Sequence, residues 1–329
     1  MLNFPYGKAV LFVNKTIYIA SCTKDGGIYS FNMSEGGRLT QTDFTPMDCP
    51  MYMIAKNSKM HVILKATFEN NESGLVTYDI LPDGRLKNPT EIISTKGTEA
   101  CHLCEDEGNI YCVNYVSGSV IKMPEEIATH SGSGPNLPRQ AGPHTHFVGL
   151  TPDRKYILVT DLGLDTIFVY DKNLNVVSSA KVPEGYGVRH LAFSDCGRYV
   201  FAINELISSV SAFSYNDGVL KIIDTKGILP DDFTDKSLGG AIRVHNGLIY
   251  ASNRGHESIA ELSFDGKNLK LLNLYSCHGV HPRDFDFVED YIISTNMKSD
   301  NVAVMKICNG KTILADNIEI KEPLCVLAL

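Results

Sequence analysis

Apolar and polar residues alternate with a period of two in short runs along nearly the whole chain. Each run closes on a small polar residue and leads, through a glycine or a polar turn, into a second run. From Lys15 the chain reads Lys-Thr-Ile-Tyr-Ile-Ala-Ser-Cys, then Gly26-Gly27, then Ile-Tyr-Ser-Phe. Alternation of this kind puts every second side chain on one face of an extended segment, so it predicts a strand, a tight turn and another strand. The unit recurs at 61–67, 109–115, 156–161, 199–204, 248–253 and 291–296, each time followed by a second alternating run. No long amphipathic helical period appears.

The residues closing these runs are Ser21, Thr67, Asn114, Asp161, Asn204, Asn253 and Asn296, with successive spacings of 46, 47, 47, 43, 49 and 43 residues. Blades of four strands repeat every ~40–50 residues. Seven copies therefore predict an all-β, seven-bladed β-propeller with four-stranded blades, forming a single domain over residues 1–329. Only 33 residues follow Asn296 and 20 precede Ser21, so neither end supplies a whole blade. The segments 312–316 and 324–328 are expected to join the N-terminal strands in one sheet, closing the ring and removing its open edges. The longest insertions, 123–142 and 229–240, are expected to mark a functional rim. The first carries His130, Arg139 and Gln140.

Composition narrows the partners. A formal charge of −8 argues against nucleic acid or an anionic membrane as the main partner, so a small anion would need a local basic patch. Trp is absent, which excludes the Trp-Asp signature of common interaction propellers. The nine Cys are odd in number and scattered through strand-like runs, which suits reduced thiols in a cytoplasmic protein better than a disulfide framework. The apolar run at 9–13 is far shorter than the ~18 residues of a membrane span. Cys101-His-Leu-Cys104 has half the spacing of a zinc site but no second pair to match it. No Gly-x-Ser-x-Gly is present, so a serine nucleophile is not indicated.

The segment from about 132 to 300 carries an ordered set of motifs. They are Gly-Ser-Gly-Pro-Asn (132–136) with Arg139-Gln140, Pro-His-Thr-His (143–146), Asp-Leu-Gly-Leu-Asp (161–165), Val-Arg-His-Leu-Ala-Phe (188–193), Asn-Glu-Leu (204–206), Ser-Asn-Arg-Gly-His (252–256) and His-Pro-Arg-Asp-Phe (281–285). In these the chain resembles the seven-bladed lactonase family, which includes propeller-type 6-phosphogluconolactonases and the fungal carboxy-muconate lactonising enzyme. The first three blades match in outline only, and Val188 stands where the family usually has Pro.

The resemblance implies lactone chemistry without a metal or other cofactor. Hydrolysis needs an activated water, stabilisation of the carbonyl oxyanion and a proton for the departing ring oxygen; His and carboxylates suit the proton steps and Arg the charge. Resemblance and position together imply His144, Arg189, Glu205 and Arg254 as the catalytic set, with His146, His190, Arg283 and Arg139 binding substrate. His144, fixed by Pro143, would be the base or acid. His146, two residues on, would face the same side as a supporting partner. Glu205 directly follows Asn204, so a strand end holds it as a relay or as a partner of Arg189. Arg189, Arg254 and Arg283 recur at blade-equivalent places, and convergent guanidiniums bind carboxylate or phosphate in a fork.

The expected substrate is thus a small anionic sugar-acid lactone, 6-phospho-D-glucono-1,5-lactone foremost, acted on by a monomer or weak homo-oligomer. A muconate-type lactonising cycloisomerase would use the same residue types. A non-enzymatic propeller would offer its rim to a protein, and a calcium-dependent lactonase would need oxygen ligands on the axis.

Overall fold

The structure, a computed structural model, describes residues 15–329; the apolar run at 9–13 lies outside them. Seven antiparallel sheets follow one another along the chain, and no helix occurs among the described residues. Six of the sheets have four strands each. In the second, the strand Glu72–Ile80 pairs with both Leu86–Lys87 and Ile93–Thr98, giving five.

The first strands of blades 2 to 7 are Pro50–Lys56, Ala100–Asp106, Thr145–Leu150, Val188–Phe193, Leu238–His245 and Pro282–Val288. Each packs against the corresponding strand of the next blade, and the ring closes through Pro323–Ala328, which packs against both Pro282–Val288 and Pro50–Lys56. These seven inner strands surround the central axis.

Closure places Pro323–Ala328 as the inner strand of blade 1, antiparallel to Lys15–Ser21 with Ile19 opposite Val326. The expectation for 324–328 therefore holds. The one for 312–316 does not, since those residues lie in Lys311–Glu319, the outermost strand of blade 7. Its pairing partner, Asn301–Cys308, is the adjacent strand of the same hairpin, and local pairing wins over a distant sheet.

The alternation seen in the sequence buries one row of each strand between neighbouring blades. Ile17, Ile19 and Phe31 of blade 1 meet Ile293, Val302 and Val304 of blade 7, and Leu158 and Ile167 of blade 4 meet Val200, Ala202 and Phe213 of blade 5. Each buried aliphatic or aromatic side chain is worth about 1.5–3 kcal/mol, so the interfaces between blades hold the disc together.

The recurring polar residues close the second strand of their blades and stitch blades to one another. Asn114 Nδ2 donates to the carbonyl of Thr95 and to Ser119 Oγ, both at 3.1 Å; Asn253 Nδ2 donates to the carbonyl of Ile228 at 2.9 Å, and Asn296 Nδ2 to that of Cys277 at 3.1 Å. Thr67 departs from the pattern, lying beyond a strand that ends at Leu64. The 123–142 insertion is partly regular, because Glu126–Thr129 is the outer strand of blade 3. Cys22 and Cys49 are joined by a disulfide, which corrects the expectation of wholly reduced cysteines; the other seven are free. Hydrogen bonds from Cys49 N to the carbonyl of Thr23 and from Met47 N to that of Gly26 hold the two loops together, a proximity that spacing alone does not reveal. Among the described residues, no helix is long and apolar enough to cross a membrane.

Candidate active site

One backbone device builds the floor of the site. On every inner strand the pairing with the second strand slips near the start, leaving Met51, Cys101, His146, Arg189, Arg283 and Leu324 unpaired, and Gly240 with Ala241 in blade 6. A bulge re-aims the side chain of its extra residue. Here it turns one residue per blade toward the axis. Met51, Cys101, His146 and Arg283 line a cavity of about 260 Å³, and Arg189 and Leu324 line a smaller one of about 10 Å³ that shares Met51, Cys101 and Arg283 with it.

A second set of side chains comes from the residue that follows a strand-closing polar residue. Tyr115 follows Asn114, Glu205 follows Asn204 and Arg254 follows Asn253, and all three line the larger cavity with Arg139, Glu99 and Leu238. Glu205, 3% exposed, gathers three guanidiniums. Its Oε1 accepts from Arg139 Nη2 at 2.7 Å, while Arg254 Nη2 and Arg189 Nε lie 2.8 and 3.2 Å from Oε2. Arg189 Nε is near the carboxylate without the alignment of a hydrogen bond; that arginine is instead oriented by Nη1, which donates to the carbonyl of Gly240 at 2.8 Å and to His190 Nε2 at 3.1 Å. Arg283 has neither an ion pair nor a hydrogen bond among the described residues.

The electrostatics follow from this crowding. Burial alone would raise the Glu205 pKa, but the guanidiniums of Arg254, Arg189 and Arg139 outweigh it and hold the carboxyl well below its usual range. Burial, and then Arg254 and Arg283, bring Arg189 down to about 9, which leaves it charged at neutral pH. Burial and the Arg189 charge push His146 and His190 well below the ordinary imidazole value, so both are neutral at pH 7. His146 Nδ1 faces Cys101 Sγ at 3.7 Å, and among the described residues its Nε2 has no hydrogen-bond partner. Burial also raises the Cys101 thiol to about 12, so it stands there as a neutral S–H.

Buried polar contacts fix the loops that carry these groups. Asp161 Oδ1 accepts from the backbone N–H groups of His144 and Gly163 at 2.8 and 2.9 Å, while Oδ2 lies 2.6 Å from His130 Nδ1, whose Nε2 meets Tyr170 Oη at 2.6 Å. Gln140, fully buried, donates to Leu162 O and Asp165 Oδ1 at 2.8 Å each and anchors the insertion that carries Arg139. Asp165 Oδ1 also accepts from Gly187 N at 2.6 Å, and the Gly187 carbonyl accepts from Glu205 N at 2.7 Å. One network therefore positions Arg139 and Glu205 together. In blade 6 the bulge residue is glycine because there is no room for more: a Cβ on Gly240 would lie 2.4 Å from Ser252 Oγ and 2.9 Å from the carbonyl of Pro282. Its bare backbone brings two carbonyls, of Gly239 and Gly240, to Arg254 and Arg189.

Of the residues singled out from sequence, Glu205, Arg254, Arg139, Arg283 and His146 meet in the larger cavity, with Arg189 and His190 in the smaller one. His144 stands apart from both linings. Its ring stacks on Tyr115 at 4.5 Å and its Nδ1 lies 3.1 Å from the Tyr115 carbonyl. The bulge at His146 separates the two histidines that simple alternation would put on one side. Tyr115 is not among the residues singled out from sequence, although its place one residue past Asn114, matching Glu205 and Arg254, marks it. Met51 and Cys101 carry no such mark, because register alone brings them inward. Among the described residues, no group of three or more His, Cys, Asp or Glu could hold a metal ion.

Fold and site thus define a propeller with an arginine-rich pocket at its central mouth. The model of the family "Lactonase, 7-bladed beta-propeller" matches residues 16–328, and the chain belongs to that family. It is 31% identical to the 6-phosphogluconolactonase of Bacillus subtilis, over 94% of this chain and 97% of that protein. Among solved structures it is similar to a Lactobacillus plantarum protein (TM-score 0.86, 27% identity, 96% of this chain and 100% of the other). It also matches the fold of a putative 6-phosphogluconolactonase from Bacteroides fragilis (TM-score 0.87, 24% identity, 98% and 100%).

Proposed function

We propose that this lactonase-family chain hydrolyses a small anionic sugar-acid lactone, with 6-phospho-D-glucono-1,5-lactone the first candidate. The reading is carried by the charge imbalance of the pocket. Three arginines line the larger cavity and a fourth, Arg189, the smaller one beside it. Of the three acids in the two walls, Glu205 is already shared by three of these arginines, Glu99 is paired with Lys65 at 3.2 Å and Asp284 with Arg243 at 2.7 Å. Arg283, with no counterion among the described residues, is the natural seat for the substrate's phosphate or carboxylate. The name of the Bacillus subtilis relative supports the phosphorylated substrate.

In this reading neutral His146 takes a proton from water as the water oxygen bonds to the lactone carbonyl carbon, and a guanidinium faces the oxyanion. The ring carbon–oxygen bond then breaks, and the departing oxygen takes up a proton. Glu205 stays ionised throughout and serves to hold the arginines in place.

The test is a pH-stat assay over a panel of lactones with and without phosphate, corrected for spontaneous hydrolysis and repeated with a chelator. Arg283→Ala should raise KM for the phosphorylated lactone about tenfold or more, the loss of roughly one charge-assisted contact, and change the unphosphorylated one little. Equal kcat/KM for both lactones in the wild-type protein would remove the phosphate from the assignment. Interconversion of a lactone with an open dicarboxylate, without water uptake, would place the protein among lactonising cycloisomerases. Loss of activity with the chelator would overturn the metal-free mechanism.

A further inference from the structure

With His146 engaged as the base, the acid side of the reaction has no second donor among the residues singled out from sequence. Glu205 is held ionised by its arginines, Glu99 is paired with Lys65, and the guanidiniums give hydrogen bonds but keep their protons. Two neutral acids remain in the wall, the Cys101 thiol and the Tyr115 phenol. The thiol lies 3.6 Å from the carbonyls of Thr145 and His146, where it serves as a weak donor to backbone.

Tyr115 is arranged differently. Arg139 Nη2 has two hydrogens, and it directs one to Glu205 Oε1 at 2.7 Å and the other to Tyr115 Oη at 3.0 Å. The phenol oxygen is therefore an acceptor in its one protein contact. Its own hydrogen has no acceptor among the described residues, in a side chain that lines the cavity. The ring cannot swing freely, since it stacks on His144 at an interplanar angle of 13° and meets His146 edge-on at 5.3 Å between ring centres. Burial raises the phenol above its ordinary value, so it is fully protonated at neutral pH, and a donated bond from a guanidinium makes the phenolate easier to form when a proton is called for.

We propose that Tyr115 is a catalytic residue, donating its hydroxyl proton to the departing ring oxygen of the lactone; this rests on the lactonase reading above. The balance is complete within the pocket. Water gives one proton to His146 and its oxygen to the carbonyl carbon. As the ring carbon–oxygen bond breaks, Tyr115 protonates the leaving oxygen, and the imidazolium of neighbouring His146 returns a proton to the phenolate. Base and acid are then separate groups, reset by one transfer between adjacent rings, and Arg139 stabilises the transient phenolate.

The experiment compares wild type, Tyr115→Phe and Arg139→Gln in kcat and KM on the lactone the assay selects, with thermal melts to confirm folding. Phe keeps the ring on His144 and removes only the hydroxyl. Tyr115→Phe should lower kcat about 100-fold with KM within threefold, whereas Arg139→Gln should mainly raise KM. A Tyr115→Phe enzyme within threefold of wild type in kcat would overturn the assignment. So would a Tyr115→Phe profile that copies Arg139→Gln in KM, because the hydroxyl would then only position the arginine. A wild-type protein inert toward every lactone would instead defeat the functional reading itself, so the two failures are distinguishable.

Discussion

Blades 1 to 3 and blades 4 to 7 use the same backbone device for different ends. At the bulge of the inner strand the first group presents Leu324, Met51 and Cys101, and the second presents His146, Arg189, Gly240 and Arg283. The bulge is a property of the ring, repeated on every inner strand. The side chain placed on it is a property of the site. One arc of the mouth is therefore an apolar and thiol wall, and the other holds nearly all the charge. An anionic substrate would be gripped from one side and packed from the other, which orients it without further contacts. Tyr115 is the exception that sharpens the contrast: it belongs to blade 3 by sequence, yet its hydroxyl is tied to Arg139 and its ring to His144, at the entry to blade 4.

This contrast can be broken most directly at Glu205. Glu205→Gln should lower turnover by about 100-fold, because the arginines it positions are displaced, and also lower the melting temperature, since it strands buried Arg189 and Arg254 without their counter-charge, a loss of about 3 kcal/mol or more. Because the native carboxyl is held below the unfolded value of 4.5, its stabilisation is present above that pH and is lost as the pH falls through its depressed native value. A wild-type melting temperature that is flat through the acid range, with an unchanged mutant, would contradict the clamp.

A smaller test pits equivalent bulges against each other. His146→Ala should cost about 100-fold in kcat, whereas Cys101→Ala, at the same place one blade earlier, should leave kcat within threefold. The pH profile tests the same histidine: with its pKa lowered, it stays neutral and competent at pH 6.5, and the acid limb of kcat/KM should lie well below that value. A limb at 6.5 or above would point to a histidine in a more open setting.

Gly240→Ala should destabilise the fold by about 1–3 kcal/mol, through the clash with Ser252 and Pro282, and should weaken activity by shifting the carbonyls that orient Arg189 and Arg254. The smallest effect belongs to the apolar arc. Met51→Leu keeps volume and should change stability by less than about 1.5 kcal/mol and kcat by less than threefold. A large catalytic loss there would mean that the two arcs share the chemistry after all.

The architecture was legible in the chain because period two and a repeat of 43–49 residues are local, additive signals. A strand that buries one face writes its alternation into the sequence whatever its neighbours do. The site was legible in part. Arg189, Arg254 and Arg283 announce themselves by recurrence at blade-equivalent places, Glu205 by its position after Asn204, and Arg139 by the longest insertion and the family motif it carries. The division of labour between His144 and His146 was not legible, because a bulge breaks alternation by a single residue and leaves no compositional trace. Tyr115 could have been found from its place after Asn114, but a tyrosine after a strand reads as ordinary core until its hydrogen-bond partner is known.

The repeat and the number of blades were determined by the sequence alone, since periodicity needs no coordinates. Which side chain of each blade reaches the axis, which carboxylate is clamped, and which hydroxyl keeps a free hydrogen were decided only by the tertiary structure. Those properties depend on register and on contacts between residues as far apart as Arg139 and Glu205, or Tyr115 and His146. Such contacts exist only when the ring has closed.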